Sequence, residues 1–131
     1  MRQLIDKALQ GEVWVVVGAT DNPQKFGNKI YRRLKNAGYR TYPLNPFHRE
    51  IQGDCCYGTP AELPEVPDCV NMVVGPEKGR TQLKPLYERG ARLLWFQPGS
   101  YDSALLDEAA AMGFEVIHGS CVLIELGQIG K

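Results

Sequence analysis

Four short turns carry the residues whose types could do chemistry. The first reads Gly18-Ala19-Thr20-Asp21-Asn22-Pro23-Gln24-Lys25-Phe26-Gly27-Asn28, and the second Asn45-Pro46-Phe47-His48-Arg49. The third is Gly75-Pro76-Glu77-Lys78-Gly79, and the fourth Gln97-Pro98-Gly99-Ser100. Gly18 lets the backbone turn tightly and approach a ligand, and a helix start beyond it would offer unpaired N–H groups to a phosphate. Gly27 permits close packing of that helix on the preceding strand. Thr20, Asn22 and Asn28 add neutral donors, and Lys25 adds a charge. These residue types recognise anions. They do not make or break bonds: no positioned acid–base pair is visible, so no catalytic residue is assigned.

The second turn narrows the ligand. The first turn is not GxGxxG, because Ala19-Thr20-Asp21 intervenes and the spacing is longer. A strand that binds NAD ends in Asp or Glu, whose carboxylate takes the ribose hydroxyls. Here that place holds Asn45-Pro46, with His48 and Arg49 close behind. Neutral-to-basic chemistry there suits a phosphorylated ribose. NADP and coenzyme A both carry one, and spacing does not choose between them. An NAD(P)-binding redox sensor or small oxidoreductase is the alternative reading, although no second domain is seen to hold a hydride acceptor.

The elements that must position these turns alternate along the chain. Leu4, Ile5, Ala8 and Leu9 have helical spacing, and Val13–Val17 is a continuous β-branched and aromatic run suited to a strand covered on both faces. A helix is predicted from about Phe26 to Ala37, with Phe26, Ile30, Leu34 and Ala37 on its apolar face and Gly38 closing it. Thr41–Leu44 reads as the next strand, completing a βαβ unit. Asp54–Tyr57 reads as a short strand, Pro60–Leu63 as a turn or brief helix, and Cys69–Val74 as a second buried strand. A helix around Thr81–Arg89 follows, in which Pro85 is tolerable near the first turn. Arg92–Phe96 is a strand, Tyr101–Met112 a helix capped by Ser100 or Asp102 with Leu105, Ala109 and Met112 buried, and Phe114–Ile117 the last clear strand. Cys121–Leu126 fits helix or strand. The alternation predicts an α/β, Rossmann-like doubly wound fold, a mainly parallel sheet with helices on both faces in three layers. In such a sheet ligands gather beyond the carboxyl ends of the strands, where all four turns fall.

Composition bounds the remaining possibilities. The 131 residues suit one domain, 1–131, and a hydrophobic fraction of 44% can furnish a core. Fifteen Lys and Arg balance fifteen Asp and Glu, so no general field attracts nucleic acid or an anionic membrane. The amino terminus has charged residues within it and no signal-peptide core, and no apolar run approaches the roughly 20 residues of a bilayer span. The expected compartment is the cytoplasm. Cys55, Cys56, Cys69 and Cys121 form no CxxC pair and stand at no zinc-finger spacing from His48 or His118, which leaves reduced, mostly buried thiols. Disulfide exchange with coenzyme A at Cys121 or at the Cys55-Cys56 pair is a less favoured reading.

Taken together, Gly18-Ala19-Thr20-x-Asn22-Pro23-x-Lys25-Phe26-Gly27-Asn28, Gly38-Tyr39 through Pro43-Leu44-Asn45-Pro46, Ile51-x-Gly53 and Trp95-Phe96-Gln97-Pro98-Gly99 resemble the stand-alone CoA-binding protein family. That family is similar to the N-terminal domain of the succinyl-CoA synthetase alpha subunit. The resemblance covers roughly residues 10 to 125 and implies non-catalytic binding of coenzyme A or an acyl-CoA. It implies CoA phosphates at the first turn, adenosine and its 3′-phosphate by Asn45-Pro46, the Gly75-Pro76 turn flanking the nucleotide, and Gln97-Pro98-Gly99 on the far side. Cys121 matches a cysteine common near that family's C-terminus, although Gly119-Ser120 precede it in place of a charged pair. The ligase's phosphorylated histidine belongs to a separate domain, and neither His48 nor His118 stands in a recognisable phosphohistidine motif.

Overall fold

The computed structural model describes residues Met1–Lys131. In chain order the elements are α1 (Arg2–Gln10), β1 (Val13–Val17), α2 (Phe26–Asn36), β2 (Arg40–Leu44), β3 (Glu50–Ile51), β4 (Asp54–Cys55), a 3₁₀ turn (Pro60–Glu62), β5 (Cys69–Met72), α3 (Pro76–Arg89), β6 (Leu93–Phe96), α4 (Ser103–Met112), β7 (Glu115–Ile117) and α5 (Val122–Gln128). All of β1 is buried, and its side chains feed two cores: Trp14 and Val16 one, Val15 and Val17 the other. A strand covered on both sides has no wet face, which is why the run carries no polar residue.

The five long strands form one parallel sheet in the order β2-β1-β5-β6-β7. On the Trp14 side, α1, α2 and α5 deliver Ile5, Leu9, Ile30, Leu34, Val122 and Leu126. On the Val15 side, α3 and α4 deliver Leu83, Leu86, Leu105 and Ala109. The three-layer, Rossmann-like α/β fold is thus the one expected. The strand order reverses between β1 and β5, so consecutive connections leave toward opposite faces and open a crevice at that point.

Several local expectations need correction. The helix expected near Thr81 starts at Pro76, absorbing four of the five residues read as turn. Pro76 explains it: proline suits the first helical position, where its missing N–H costs nothing and its fixed φ fits the helix. Pro85 therefore sits in the helix interior and not in its first turn. An interior proline costs about 3 kcal/mol by propensity, a cost offset here by the burial of Leu83 and Leu86. Phe26 is not on the core face of α2. It is 61% exposed, and Tyr31, fully buried, joins Ile30 and Leu34 there. Met112 is only half-buried. The ambiguous segment after Cys121 is a helix, and α4 is capped by Asp102, whose Oδ1 accepts from the Leu105 amide at 2.8 Å.

The expected strand at Asp54–Tyr57 is shorter and differently paired. Asp54 and Cys55 pair antiparallel with β3, while Tyr57 makes one parallel bridge to Leu44. The hairpin turns at Gln52 and Gly53, with φ of 55° and 79°. Two left-handed residues match the twist of a two-residue hairpin, but glutamine in place of the usual asparagine hides it from sequence reading. The Gln52 amide donates to Asp21 Oδ1 at 3.0 Å, tying the hairpin to the first turn.

A polar clamp holds the same hairpin to α2. The Tyr31 hydroxyl donates to Asp54 Oδ2 at 2.5 Å, and Lys35 forms an ion pair with that oxygen. Burial raises the Asp54 carboxyl, but hydrogen bonds from Lys35 and Tyr31 and the lysine's charge outweigh it, and the group sits below its ordinary value. Burial, then the hydrogen bond to Asp54, pushes the Tyr31 hydroxyl up. A carboxyl depressed by folding adds stability above its unfolded value near 4, and that stability disappears as pH falls through the folded value. Asp54→Asn should therefore destabilise the chain near neutral pH by up to about 1 kcal/mol, given the clamp's partial exposure. In denaturant titrations the gap to wild type should close under acid; a gap constant from pH 7 to pH 3 would refute the clamp's ionic part.

Candidate functional site

The first turn is built on two glycines that need each other. Gly18 has φ of +95°, and a Cβ there would stand 2.8 Å from the Val73 carbonyl oxygen. A Cβ on Gly27 would drive into the Gly18 carbonyl oxygen and stand 3.0 Å from its carbon. Only glycine at both places lets the first turn of α2 rest on the end of β1. The Gly18 amide is held by Leu44 O at 3.0 Å, which joins this turn to the end of β2.

Much of the turn's polarity is spent on its own shape. Thr20 Oγ1 accepts from the Asn22 amide at 3.2 Å, and Asn22 Oδ1 accepts from the Gln24 amide at 3.0 Å. Asn28 Nδ2 donates to Thr20 O, and Asn45 Nδ2 to Ala19 O, each at 2.9 Å. Asn45 Oδ1 also accepts from the Phe47 amide at 2.9 Å. With these residues occupied, the turn offers mainly backbone to a ligand.

That backbone is free where it counts. Lys25 caps α2 without any side-chain hydrogen bond, and the amides of Phe26 and Gly27 find no acceptor in the chain. Gly75 caps α3 without one either, leaving the Glu77 and Lys78 amides without an acceptor. Unpaired amides and the helix dipole both favour an anion at such an end. By contrast α4, which also begins past a strand end, is closed by Asp102.

A cleft of about 1010 Å³ lies over these two helix starts, at the β1/β5 reversal. Its charged side chains are Lys25 and Lys78, with the His48 imidazole beside them, and no carboxylate lines it. A smaller recess of about 290 Å³ shares Gly18, Asn45, Phe47, Val74 and Lys78 with it and is closed by Pro46, Thr81 and Gln82. Two amide atoms on these walls are buried without a partner, Gln82 Oε1 and Gln97 Nε2. Gln97 is 4% exposed, and its main chain is fully used: the amide donates to Met72 O at 3.1 Å, and the carbonyl accepts from the Ser100 amide and hydroxyl at 2.9 and 2.6 Å. An orphaned buried donor costs free energy until something accepts from it.

Of the residues singled out in the sequence, Gly18, Thr20, Lys25, Phe26, Gly27, Asn45, His48, Gly75, Gln97, Pro98 and Gly99 line the large cleft, and Pro46 lines the recess. Five others stand away from both. Ala19 and Asn28 are fully buried, Asn22 is exposed, Arg49 is exposed, and Pro76 is the first residue of α3. Gln24, Phe47, Lys78 and Ser100 line the cleft from within the quoted turns, unassigned until now. Phe47, an aromatic side chain within a polar turn, was the visible signal, and the structure leaves it 83% exposed. Val73, Val74, Cys121, Leu123 and Ile124 also line it, and only the fold brings the start of α5 to this edge.

The thiols divide. Cys56 and Cys69 are buried, and burial pushes both up, Cys69 well above its ordinary value. Cys55 is exposed and Cys121 half-buried, so half of the thiols are not buried as expected. No group of three His, Cys, Asp or Glu is gathered to hold a metal ion. No helix is long and apolar enough to cross a membrane.

A family profile described as a CoA binding domain matches residues 12–127. Over 70 residues the chain is 34% identical to an ADP-forming acetate–CoA ligase of Archaeoglobus fulgidus, covering 53% of this chain and only 10% of that enzyme. A conserved hypothetical protein from Pyrococcus furiosus superposes with a TM-score of 0.83 at 36% identity, over 87% of this chain and 98% of that one. A hypothetical protein from Pyrococcus horikoshii superposes with a TM-score of 0.91 at 23% identity, over 99% and 92%.

Proposed function

We propose a coenzyme A site from one premise: the chain belongs to the CoA binding domain family. The observation that carries the reading is the cleft at the strand reversal, where two uncapped helix starts and two lysines meet with no carboxylate. The diphosphate sits on the free amides of Phe26 and Gly27, with Lys25 beside it. Adenosine lies toward Asn45 and Pro46, its 3′-phosphate within reach of His48 and Lys78. The pantetheine arm runs past Val73 and Val74 to Gln97, Pro98 and Gly99. Gln97 Nε2, orphaned in the chain, donates to a carbonyl of that arm. The role is binding of coenzyme A or an acyl-CoA, without chemistry on the acyl group.

Calorimetric titration with CoA, dephospho-CoA and NADPH tests this directly. CoA should bind at least about tenfold more tightly than dephospho-CoA, the difference one charge-assisted contact typically makes. His48→Ala should weaken CoA and leave dephospho-CoA unchanged, while Arg49→Ala, outside the cleft, should alter neither by more than about twofold. Heat from NADPH and none from CoA would overturn the assignment in favour of a nicotinamide nucleotide.

A further inference from the structure

Cys121 is the one cysteine on the wall of the large cleft, and the sheet sets its place along it. Strand ends follow the order β2, β1, β5, β6, β7, so the lining runs from Asn45 and His48 after β2 to Gln97 after β6 and Cys121 after β7. Strands lie about 4.8 Å apart, so the four steps span roughly 19 Å. Lys25 and Lys78 follow β1 and β5, short of the β6 and β7 end of that path. The far part carries no charged side chain: Gln97, Pro98, Gly99 and Ser100 follow β6, and Leu123 and Ile124 come from α5. A ligand with an anionic nucleotide and a long amide-bearing arm therefore lays the tip of its arm beside Cys121.

Two further observations point to a ligand here. The Gln97 side chain, on the same wall, is more than nine-tenths buried and its Nε2 lacks any partner, so the arm's end of the cleft holds a donor awaiting an acceptor. Cys121 is also held in place without using its sulfur. Trp95 Nε1 donates to Ser120 O at 2.9 Å, and the Cys121 carbonyl accepts from the Ile124 and Glu125 amides at 3.1 and 3.2 Å. Cys121 is half-buried on the cleft wall, and its Sγ makes no hydrogen bond.

We propose that Cys121 exchanges disulfides with oxidised CoA in this cleft, an inference that rests on the coenzyme A reading above. The Cys121 thiolate attacks one sulfur of CoA disulfide, and the S–S bond between the two CoA molecules breaks. A new bond joins Cys121 Sγ to one CoA sulfur, and the other CoA leaves as a thiolate that takes up the proton Cys121 released. No outside oxidant is needed, because the disulfide is transferred whole. Free CoA thiol reverses the step. The site would thus record the ratio of oxidised to reduced CoA.

Cys55 supplies an internal control, being more exposed than Cys121 and outside the cleft. The full-length chain is incubated with either CoA disulfide or glutathione disulfide, and adducts are located by intact mass and peptide mapping. Cys121 should take CoA at least about tenfold faster than glutathione, a preference Cys55 lacks, and the Cys121→Ser variant should lose the preferred adduct. Excess desulfo-CoA should slow the reaction at Cys121 alone. Equal rates for the two disulfides at Cys121, or adducts confined to Cys55, would overturn the inference. If reduced CoA still binds by calorimetry in that case, the coenzyme A site survives; if it does not, the site falls as well.

Discussion

Gly27→Ala should cost the chain both stability and ligand binding, with CoA affinity falling at least about 100-fold. The obstacle to a methyl group at this position is the Gly18 carbonyl, a backbone group fixed on both sides. Gly18 cannot retreat, because its amide is bonded to Leu44 O and its left-handed φ leaves no room toward Val73. The N-terminus of α2 must move instead, and with it the free amides of Phe26 and Gly27. Forcing a methyl into a packed site typically costs about 1–3 kcal/mol. For a domain of this size that lowers the thermal midpoint by several degrees to about 15 °C. Gly75→Ala is the matched control: it has an ordinary extended φ of −61°, and an added Cβ meets nothing within 4 Å. Its midpoint should stay within about 2 °C of wild type. Gly27→Ala with a wild-type midpoint and undiminished CoA heat would show that this contact does not shape the site.

The same two glycines show what a sequence can disclose and what it cannot. Gly18 and Gly27 stand nine residues apart on one strand–turn–helix unit, so local reasoning reaches both. The unbroken apolar run Val13–Val17 and the Gly-ended helices likewise follow from local propensity and period. The start of α3 does not, because Gly75, Pro76 and Gly79 read as turn residues by type although Gly75 and Pro76 open the helix as its cap and first residue. Asn22, Asn28 and Asn45 look like ligand donors by type, yet their amides brace the turn, a use that their type alone does not reveal. The Gln52-Gly53 hairpin is hidden by an uncommon turn residue. Cys121, Leu123 and Ile124 reach the cleft because β7 returns α5 to the first turn's edge, where α2 and α5 pack together. Contacts that close over the whole chain leave no local signature.

Charge follows the same rule, and the second large effect depends on it. Fifteen basic residues offset fifteen acidic ones over the sequence, yet Lys25 and Lys78 face the cleft with no carboxylate among its walls. Five of the other thirteen basic residues are committed to ion pairs: Lys35 with Asp54, Arg40 with Glu65, Arg80 with Glu108, Arg2 with Glu125 and Lys7 with Glu115. Neither Lys25 nor Lys78 takes part in any of the chain's ion pairs. Two cations left unpaired beside unpaired amides make a local field that a neutral total does not reveal. The double variant Lys25→Glu, Lys78→Glu should weaken CoA binding by at least about 100-fold, since each position exchanges an attraction for a repulsion. Its thermal midpoint without ligand should stay within about 3 °C of wild type, because no internal partner is lost. Raising salt should weaken wild-type binding and narrow the gap to the double variant, as screening removes the field from both. Wild-type affinity that ignores salt, with the double variant binding equally well, would mean that the phosphates sit elsewhere and that the free helix starts are not what holds them.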